Sequence, residues 1–488
     1  MSRERPSPPR QRKPAGLPSE ESTQSFWHTQ PSPLLTGHRS TRNLPESADA
    51  VIIGSGISGA SIAHHLLTSN SPSYRSSKRL NVVMLEAREA CWGATGRNGG
   101  HCQPLLFEHP HDPSIGEFEL ANFHTLQNLI EKKNIDCEFV AQPGVRGIFS
   151  DHHLEETKRA LETMETTAPE LRKHMAFYTE KEQLAKLRLP TAKGAVVTDF
   201  AARMWPYKFV AHILENLLTS DPEKLNGTFN LQTLTPATSI DPSPNSPTHH
   251  QITTPRGTLT TPKLILATNA YTSHLLPHPF TPLIIPCRGQ MSALQPLPSL
   301  STPQNRLQSS FGFLGDGLDD YLIQRPSEKG GHLMFGGGRQ HGPSIGVTDD
   351  SVLDPKTAAY LRRRLIPTLG LPDSAPEFQA ANEWTGIMGF SRDDLPWVGA
   401  MPHHPGLYIS AGFTGHGMPN TWLCGKTVAL AVQKSFESAD EEWIMEEAAA
   451  ETALPRGYRI TQARIERAME MRDVEERDWA EMARGGFV

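Results

Sequence analysis

Residues 48–86 read ADAVIIGSGISGASIAHHLLTSNSPSYRSSKRLNVVMLE. The apolar run from Ala50 to Ile53 suits a buried parallel strand, and it leads straight into a G-x-G-x-x-G turn, Gly54-Ser55-Gly56-Ile57-Ser58-Gly59. A helix continues over 60–67, and a second strand over 80–85 ends on Glu86. Gly54 permits the tight turn, Gly56 lets backbone approach a pyrophosphate, and Gly59 lets helix and strand pack closely. The helix N-terminus offers free N–H groups and partial positive charge to phosphates. Glu86 is placed to accept hydrogen bonds from a ribose diol, and its charge disfavours a 2′-phosphate. It lies 27 residues beyond Gly59, against about 20 in the usual spacing. The surplus, SNSPSYRSSK at 69–78, is expected to be a surface loop. The stretch reads as a dinucleotide-binding βαβ unit.

The remaining 400-odd residues of the 488-residue chain leave room for further core. A net charge of −6 provides no footprint for nucleic acid or an anionic membrane. No apolar run reaches the length of a membrane span. The five cysteines, Cys91, Cys102, Cys137, Cys287 and Cys424, are odd in number and form no C-x-x-C pair, so they read as free thiols of a reducing compartment. Residues 1–47 are rich in Pro, Ser and Arg and are expected to be a largely disordered tail to about Glu21, with Trp27, Leu34 and Leu35 available to pack on the body. The terminal Gly-Gly-Phe-Val matches no C-terminal targeting signal. A cytoplasmic protein is expected.

Past the βαβ unit, CWGATGRNGGHCQP at 91–104 carries four glycines in eight residues, a loop whose backbone must approach something closely. Helical patterns occupy 115–133, 153–166 and 352–369. Residues 226–261 alternate between polar and apolar as antiparallel strands do. They lead into KLILATNA at 263–270, a buried parallel strand expected beside the first. Residues 286–294 and 320–338 suit longer strands of a second sheet. At 409–417 the order strand, glycine loop, helix recurs, with the helix expected near Pro419. Beyond Ser435 the chain is charged and helix-prone.

Taken in order, GSGISG (54–59), Glu86, GATGRNGGHCQP (93–104), ILATNAY (265–271), RGQM (288–291), YLIQRP (321–326), FGGGR (335–339), WTGIMGFSRDDLPWVG (384–399) and GFTGHGM (412–418) resemble the FAD-dependent oxidoreductases related to D-amino acid oxidase, sarcosine oxidase and glycine oxidase, in the branch containing γ-glutamylputrescine oxidase. The resemblance covers roughly 25–432. It implies an α/β fold, with a discontinuous Rossmann domain of the glutathione reductase type (48–110, 195–285 and 381–435) and a substrate domain on a large antiparallel sheet (111–194 and 286–380). Residues 436–488 would form a helical extension. It further implies FAD, oxidation of a C–N bond in an amine or amino acid with hydrolysis of the imine, and dioxygen or another electron acceptor. Three departures bear on substrate and acceptor. Pro419 stands where sarcosine oxidases hold the substrate carboxylate with a lysine, Met334 where they activate oxygen with one, and Gly386 near their covalent flavin cysteine. Non-covalent FAD, a differently held substrate and altered oxygen reactivity are therefore expected. An NAD-dependent dehydrogenase and a non-catalytic flavoprotein or interaction module are the alternatives. The RNGG and GFTGHGM loops disfavour the first.

Cofactor contacts are expected from Gly54, Gly56, Ile57, Ser58 and Gly59 at the turn, and from Glu86, Ala87 and Arg88 at the second strand. Further contacts fall to Thr95, Arg97, Asn98 and Gly99 in the glycine-rich loop, to Ala237, Ala267 and Thr268, and to Gly412, Gly415, His416, Gly417 and Met418 in the last loop. Arg97 would alternatively pin its loop to the protein itself. The catalytic candidates are Arg288, Tyr321, Arg325 and His416. Arg288 would hold a carboxylate or form a buried ion pair. Tyr321 and Arg325 share one face of a strand. His416 sits between glycines, facing flavin or substrate or serving structure. Asp393 or Asp394 fixes a turn, and Trp384 and Phe413 are cavity walls or core. The run from Glu108 to Asp112, EHPHD, offers metal-ligand types, but no other ligand converges on it, so a solvated loop and no metal are expected.

Overall fold

The structure, a computed structural model, describes residues 12–68, 79–244, 246–315 and 317–474. The insert at 69–78 and the last residues lie outside them. Six strands form a sheet in the order Trp397–Ala400, Leu407–Ala411, Leu264–Leu266, Ala50–Ile53, Leu80–Leu85, Gly227–Gln232. All pair in parallel except Trp397–Ala400, which is antiparallel to its neighbour. Ala50–Ile53 lies at the centre and is buried throughout, as expected of a strand covered on both faces. Its register sets Ile52 beside Ile265 and Met84.

On one face, the Ile57–Thr68 helix packs against Thr421–Lys434. Contact is so close that a Cβ on Gly425 would come within 2.6 Å of the Ser61 side chain. Ser239–Ser243, Ser246–Thr254 and Gly257–Thr261 make the antiparallel excursion read from the alternation.

A second, nine-stranded sheet is mostly antiparallel, with Ser310–Gly315 parallel to Val140–Ile148. It corrects two domain boundaries. Gly194–Arg203 pairs with Val140–Ile148 and Met175–Tyr178, and Ala380–Ser391 pairs along the whole of Ile284–Leu294. Both strands had been expected in the Rossmann domain. An apolar run shows that a strand is buried but not which sheet supplies its hydrogen-bond partners. The helix expected near Pro419 begins at Thr421, two residues later, with Asn420 as its cap.

Residues 12–21 are not the loose tail expected, since Ala15 is buried and Arg12 pairs with Asp473; of the residues available to pack on the body, Trp27 and Leu35 are buried and Leu34 is exposed. Phe26–His28 is a buried 3₁₀ turn. The Trp27 ring is fully buried, 5.7 Å from Phe26 and 5.4 Å from Trp205 between centroids. Its Nε1 donates to Asn98 O at 2.6 Å, and its carbonyl accepts from Trp205 Nε1 at 2.8 Å. Pro, Ser and Arg dominate the composition of this segment, but a few aromatic anchors outweigh it. Trp27→Ala is expected to destabilise the protein by about 3–5 kcal/mol in denaturant unfolding, from lost burial and the cavity left behind.

Candidate active site

One cavity begins at the Gly54 turn and ends in a polar chamber between the two sheets. At the turn, Gly54 has φ +107°, and a Cβ there would stand 2.5 Å from Ala267 O. One on Gly59 would stand 2.0 Å from Gly54 O. Ile57 N, in the first helical turn, donates to Thr95 Oγ1 at 3.1 Å. The Glu86 carboxylate lines the cavity at the end of its strand, accepting from Ser55 N at 3.0 Å and Arg88 N at 2.9 Å. A backbone cradle without side chains, a helix N-terminus and an acid at the neighbouring strand end fit the diphosphate and ribose of FAD.

Of the residues expected at the cofactor, Gly54, Gly56, Ile57, Ser58, Glu86, Ala87, Arg88, Thr95, Arg97, Asn98, Gly99, Ala237, Ala267, Thr268, Gly415, His416, Gly417 and Met418 line this cavity. Gly59 and Gly412 do not. Gly59 packs the helix against the turn, and Gly412, at φ +75°, donates its N–H to Asn269 Oδ1 at 3.0 Å. Arg97 borders the cavity, but its guanidinium donates to Trp92 O at 2.9 Å, to Thr385 O at 2.8 Å and to Ser22 Oγ, and lies 3.4 Å from the Asp350 carboxylate. It pins its loop, the alternative role. Asn98 Oδ1 likewise accepts from Gly100 N at 2.8 Å.

Two catalytic candidates face elsewhere. Arg288 donates to Asp349 O and Pro343 O, both at 3.2 Å. Its neighbours Gly289, Gln290 and Met291 line the cavity, and Arg288 itself does not. Arg325 lies past the end of Leu318–Gln324, about 13 Å along from Tyr321 at strand rise. It pairs with Glu138 at 2.7 Å and covers the Phe26 ring at 4.7 Å. Met334, the position expected beside the flavin, is fully buried and does not line the cavity.

Tyr321 does line the chamber. It donates to Met291 Sδ at 2.9 Å, and its ring lies against Gly99, where a Cβ would come within 2.1 Å. His101 stacks on it at 5.1 Å. Burial pushes His101 down to about 3, with His416 and Arg146 adding to the effect, so it is neutral. Phe413, Gly386 and Pro419 line the cavity. Trp384 stands behind the wall, donating Nε1 to Arg97 O at 2.7 Å. Asp393 accepts from Ser391 Oγ at 2.7 Å and pairs with Arg464.

The chamber's ionisable residues come mostly from outside the motifs. Glu108 and His109, expected in a solvated loop, line it, as do Glu119 and Arg146. No group of three or more His, Cys, Asp or Glu able to hold a metal occurs among the described residues. Glu119 sits on Pro113–Lys133 among Ile115, Phe118, Asn122 and Leu126, the buried stripe of that helix. An acid on an apolar stripe was the readable signal for it. Glu119 Oε1 lies 2.9 Å from His416 Nε2, an ion pair when the imidazole is protonated. Glu119 also accepts from Leu105 N at 2.8 Å and Asn420 Nδ2 at 2.9 Å.

Burial opposes charge on both partners, and their attraction outweighs it. His416 is raised and Glu119 lowered from their ordinary values. Burial pushes Glu108 up to about 8 against the pull of Arg146, 3.3 Å away. Each arginine at the cavity has an acidic partner: Arg88 and Arg97 share Asp350, Arg146 meets Glu108, and Arg339 meets Asp319.

The His416 contribution to stability is full below its unfolded pKa of about 6.5 and is lost as pH rises through the raised folded value. That of Glu119 is full above about 4.5 and is lost as pH falls through the lowered one. Glu119→Gln is therefore expected to cost about 1.5–3 kcal/mol in denaturant unfolding near pH 5–6 and less toward pH 9, and to lower the His416 titration followed by NMR.

A family model described as FAD dependent oxidoreductase (DAO) matches residues 49–431. The chain is 22% identical over 425 residues to the gamma-glutamylputrescine oxidoreductase of Escherichia coli K12, covering 82% of this chain and 87% of that one. It is 24% identical over 422 residues to the probable oxidoreductase OrdL of Rhizobium meliloti, covering 83% and 86%. Among solved structures, glycine oxidase from Geobacillus kaustophilus superposes with a TM-score of 0.61 at 18% identity, covering 81% of this chain and 96% of that one. That likeness shows the same fold, a Rossmann-like sheet joined to a large curled one. With the family model spanning most of the chain, this protein belongs to the DAO family of FAD-dependent oxidoreductases.

Proposed function

We propose that this protein oxidises a C–N bond of an amine using non-covalently bound FAD. The observation that carries the reading is that the dinucleotide cradle and the ionisable chamber are two ends of one cavity. FAD supplies the two-electron acceptor for such a reaction. The chain's own residues bind and orient. The glycine turn and Glu86 hold the nucleotide, Tyr321 and Met291 wall the chamber, and the Glu119–His416 pair fixes a cation at its edge. The Thr421–Lys434 helix starts beside that loop and adds the partial positive charge of its N-terminus.

Non-covalent attachment is supported by the cysteines. All five are buried, none is in a disulfide, and none lines the cavity. The substrate reading rests on charge. Arg88, Arg97 and Arg339 already have carboxylate partners, Arg146 lies 3.3 Å from Glu108, no lysine lines the cavity, and Pro419 stands at its wall. A substrate carboxylate would have to break one of these pairs, so an amine without a carboxylate beside the reacting carbon is favoured, in the manner of the γ-glutamylputrescine named for the relative. Dioxygen or another acceptor would reoxidise the cofactor.

The purified protein is expected to be yellow with flavin absorbance bands, and acid precipitation should release the flavin. Anaerobic mixing should bleach those bands with γ-glutamylputrescine or another amine far faster than with sarcosine, glycine, proline or D-amino acids. Faster bleaching by the amino acids would overturn the substrate reading, and bands that no amine bleaches would favour a non-catalytic flavoprotein. Gly54→Ala places a side chain against Ala267 O at positive φ, a strain of about 1–3 kcal/mol. It is expected to weaken FAD binding about tenfold or more by fluorescence titration.

A further inference from the structure

The segment before residue 49 precedes the part of the chain that the family model matches, yet Leu17 and Pro18 line the cofactor cavity. Its two ends are anchored on opposite walls. On one side Ala15, buried, donates its N–H to Ser273 Oγ at 3.0 Å, next to the cavity residues His274 and Leu275. On the other side Ser22 accepts from Arg97, Thr23 N donates to Asp350 O at 2.8 Å, and Ser25 Oγ donates to Gly96 O at 2.8 Å. Between these anchors residues 16–21 cross the gap, mostly exposed, with one side-chain bond from Ser19 Oγ to Asp349 at 3.3 Å. Beyond Ala15, Arg12 pairs at 2.5 Å with the buried Asp473, which also lies outside the matched region. The two extensions of the family fold thus meet.

We propose that residues 12–25 complete the cofactor site as a strap across the cavity, anchored on both walls, which slows the escape of bound FAD. The inference rests on the FAD reading above. Two firm anchors with a lightly held span between them describe a segment that opens locally without unfolding the sheets. A cover that must open before the ligand leaves acts on the release rate more than on the encounter rate. Leu17 and Pro18 supply its apolar underside, and the Arg12–Asp473 pair supplies tension at its far end.

The test is the release rate of FAD from full-length holoprotein, followed by flavin fluorescence after dilution. The triple variant Arg12→Ala, Leu17→Gly, Pro18→Gly removes the outer anchor and the cavity-facing side chains. It is expected to release FAD about tenfold faster than wild type under conditions where both remain folded. Ala15→Cys with Ser273→Cys joins the strap to the wall where backbone and side chain already touch. Release should be slower from the oxidised form than from the same protein after reduction. Release within about twofold of wild type in the triple variant, or no difference between the oxidised and reduced pair, overturns the strap alone. Wild-type protein that takes up no FAD overturns the FAD reading, and this inference with it.

Discussion

The buried carboxylate of Asp350 joins parts of the chain that are far apart in sequence. Its oxygens accept from Arg88 at 3.0 Å and lie 3.4 Å from Arg97, while its backbone carbonyl accepts from Thr23 N and Thr385 Oγ1. The end of the second Rossmann strand, the glycine-rich loop, the N-terminal segment and the edge strand of the large sheet are therefore tied at one point. Two buried guanidinium groups sharing one acid leave little tolerance for its loss, since a buried charge without a partner costs far more than the pair contributes. The arginines so held cannot be spent on substrate.

This economy of charge runs through the whole site. The chamber contains acids and bases in plenty, but they face one another, Glu108 beside Arg146 and Glu119 beside His416. Matching across elements positions the walls. Glu119 and Asn122, on one buried face of the same helix, bind the end of the last glycine loop and the first turn of the helix that follows it. Asn122 accepts from Leu423 N at 2.9 Å, and Asn420 donates to Glu119. The loop that closes the chamber is held by the helix of the other half of the molecule.

The dinucleotide end of the site was legible in the sequence because its constraints are local. A turn that excludes side chains must be written as glycines, and the acid must end the adjacent strand. The chamber was not legible, because its residues meet only through tertiary packing. Arg288 and Tyr321 both lie on strands of the large sheet, and alternation alone does not tell which face meets the cavity. Arg325 shares a face with Tyr321 but runs past the strand end to Glu138. Glu108 reads as a loop residue from its neighbours, yet its side chain is buried beside Arg146 of the large sheet. In the N-terminal segment the packing of Trp27 was legible as an aromatic in a polar stretch, whereas the burial of Ala15 was not, because composition averages over residues.

The order of strands in the Rossmann sheet has a consequence for how the chain is made. Ala50–Ile53 pairs with Leu264–Leu266, which pairs in turn with Leu407–Ala411. During synthesis the first strand emerges more than two hundred residues before its neighbour and more than three hundred and fifty before the sheet is filled. Until then an apolar strand presents an unpaired edge, the kind of surface that recruits other chains. Pairings so distant in sequence are slow to find. The nucleotide-binding half, whose signature stands near the start of the sequence, is thus among the last parts of the molecule to be completed.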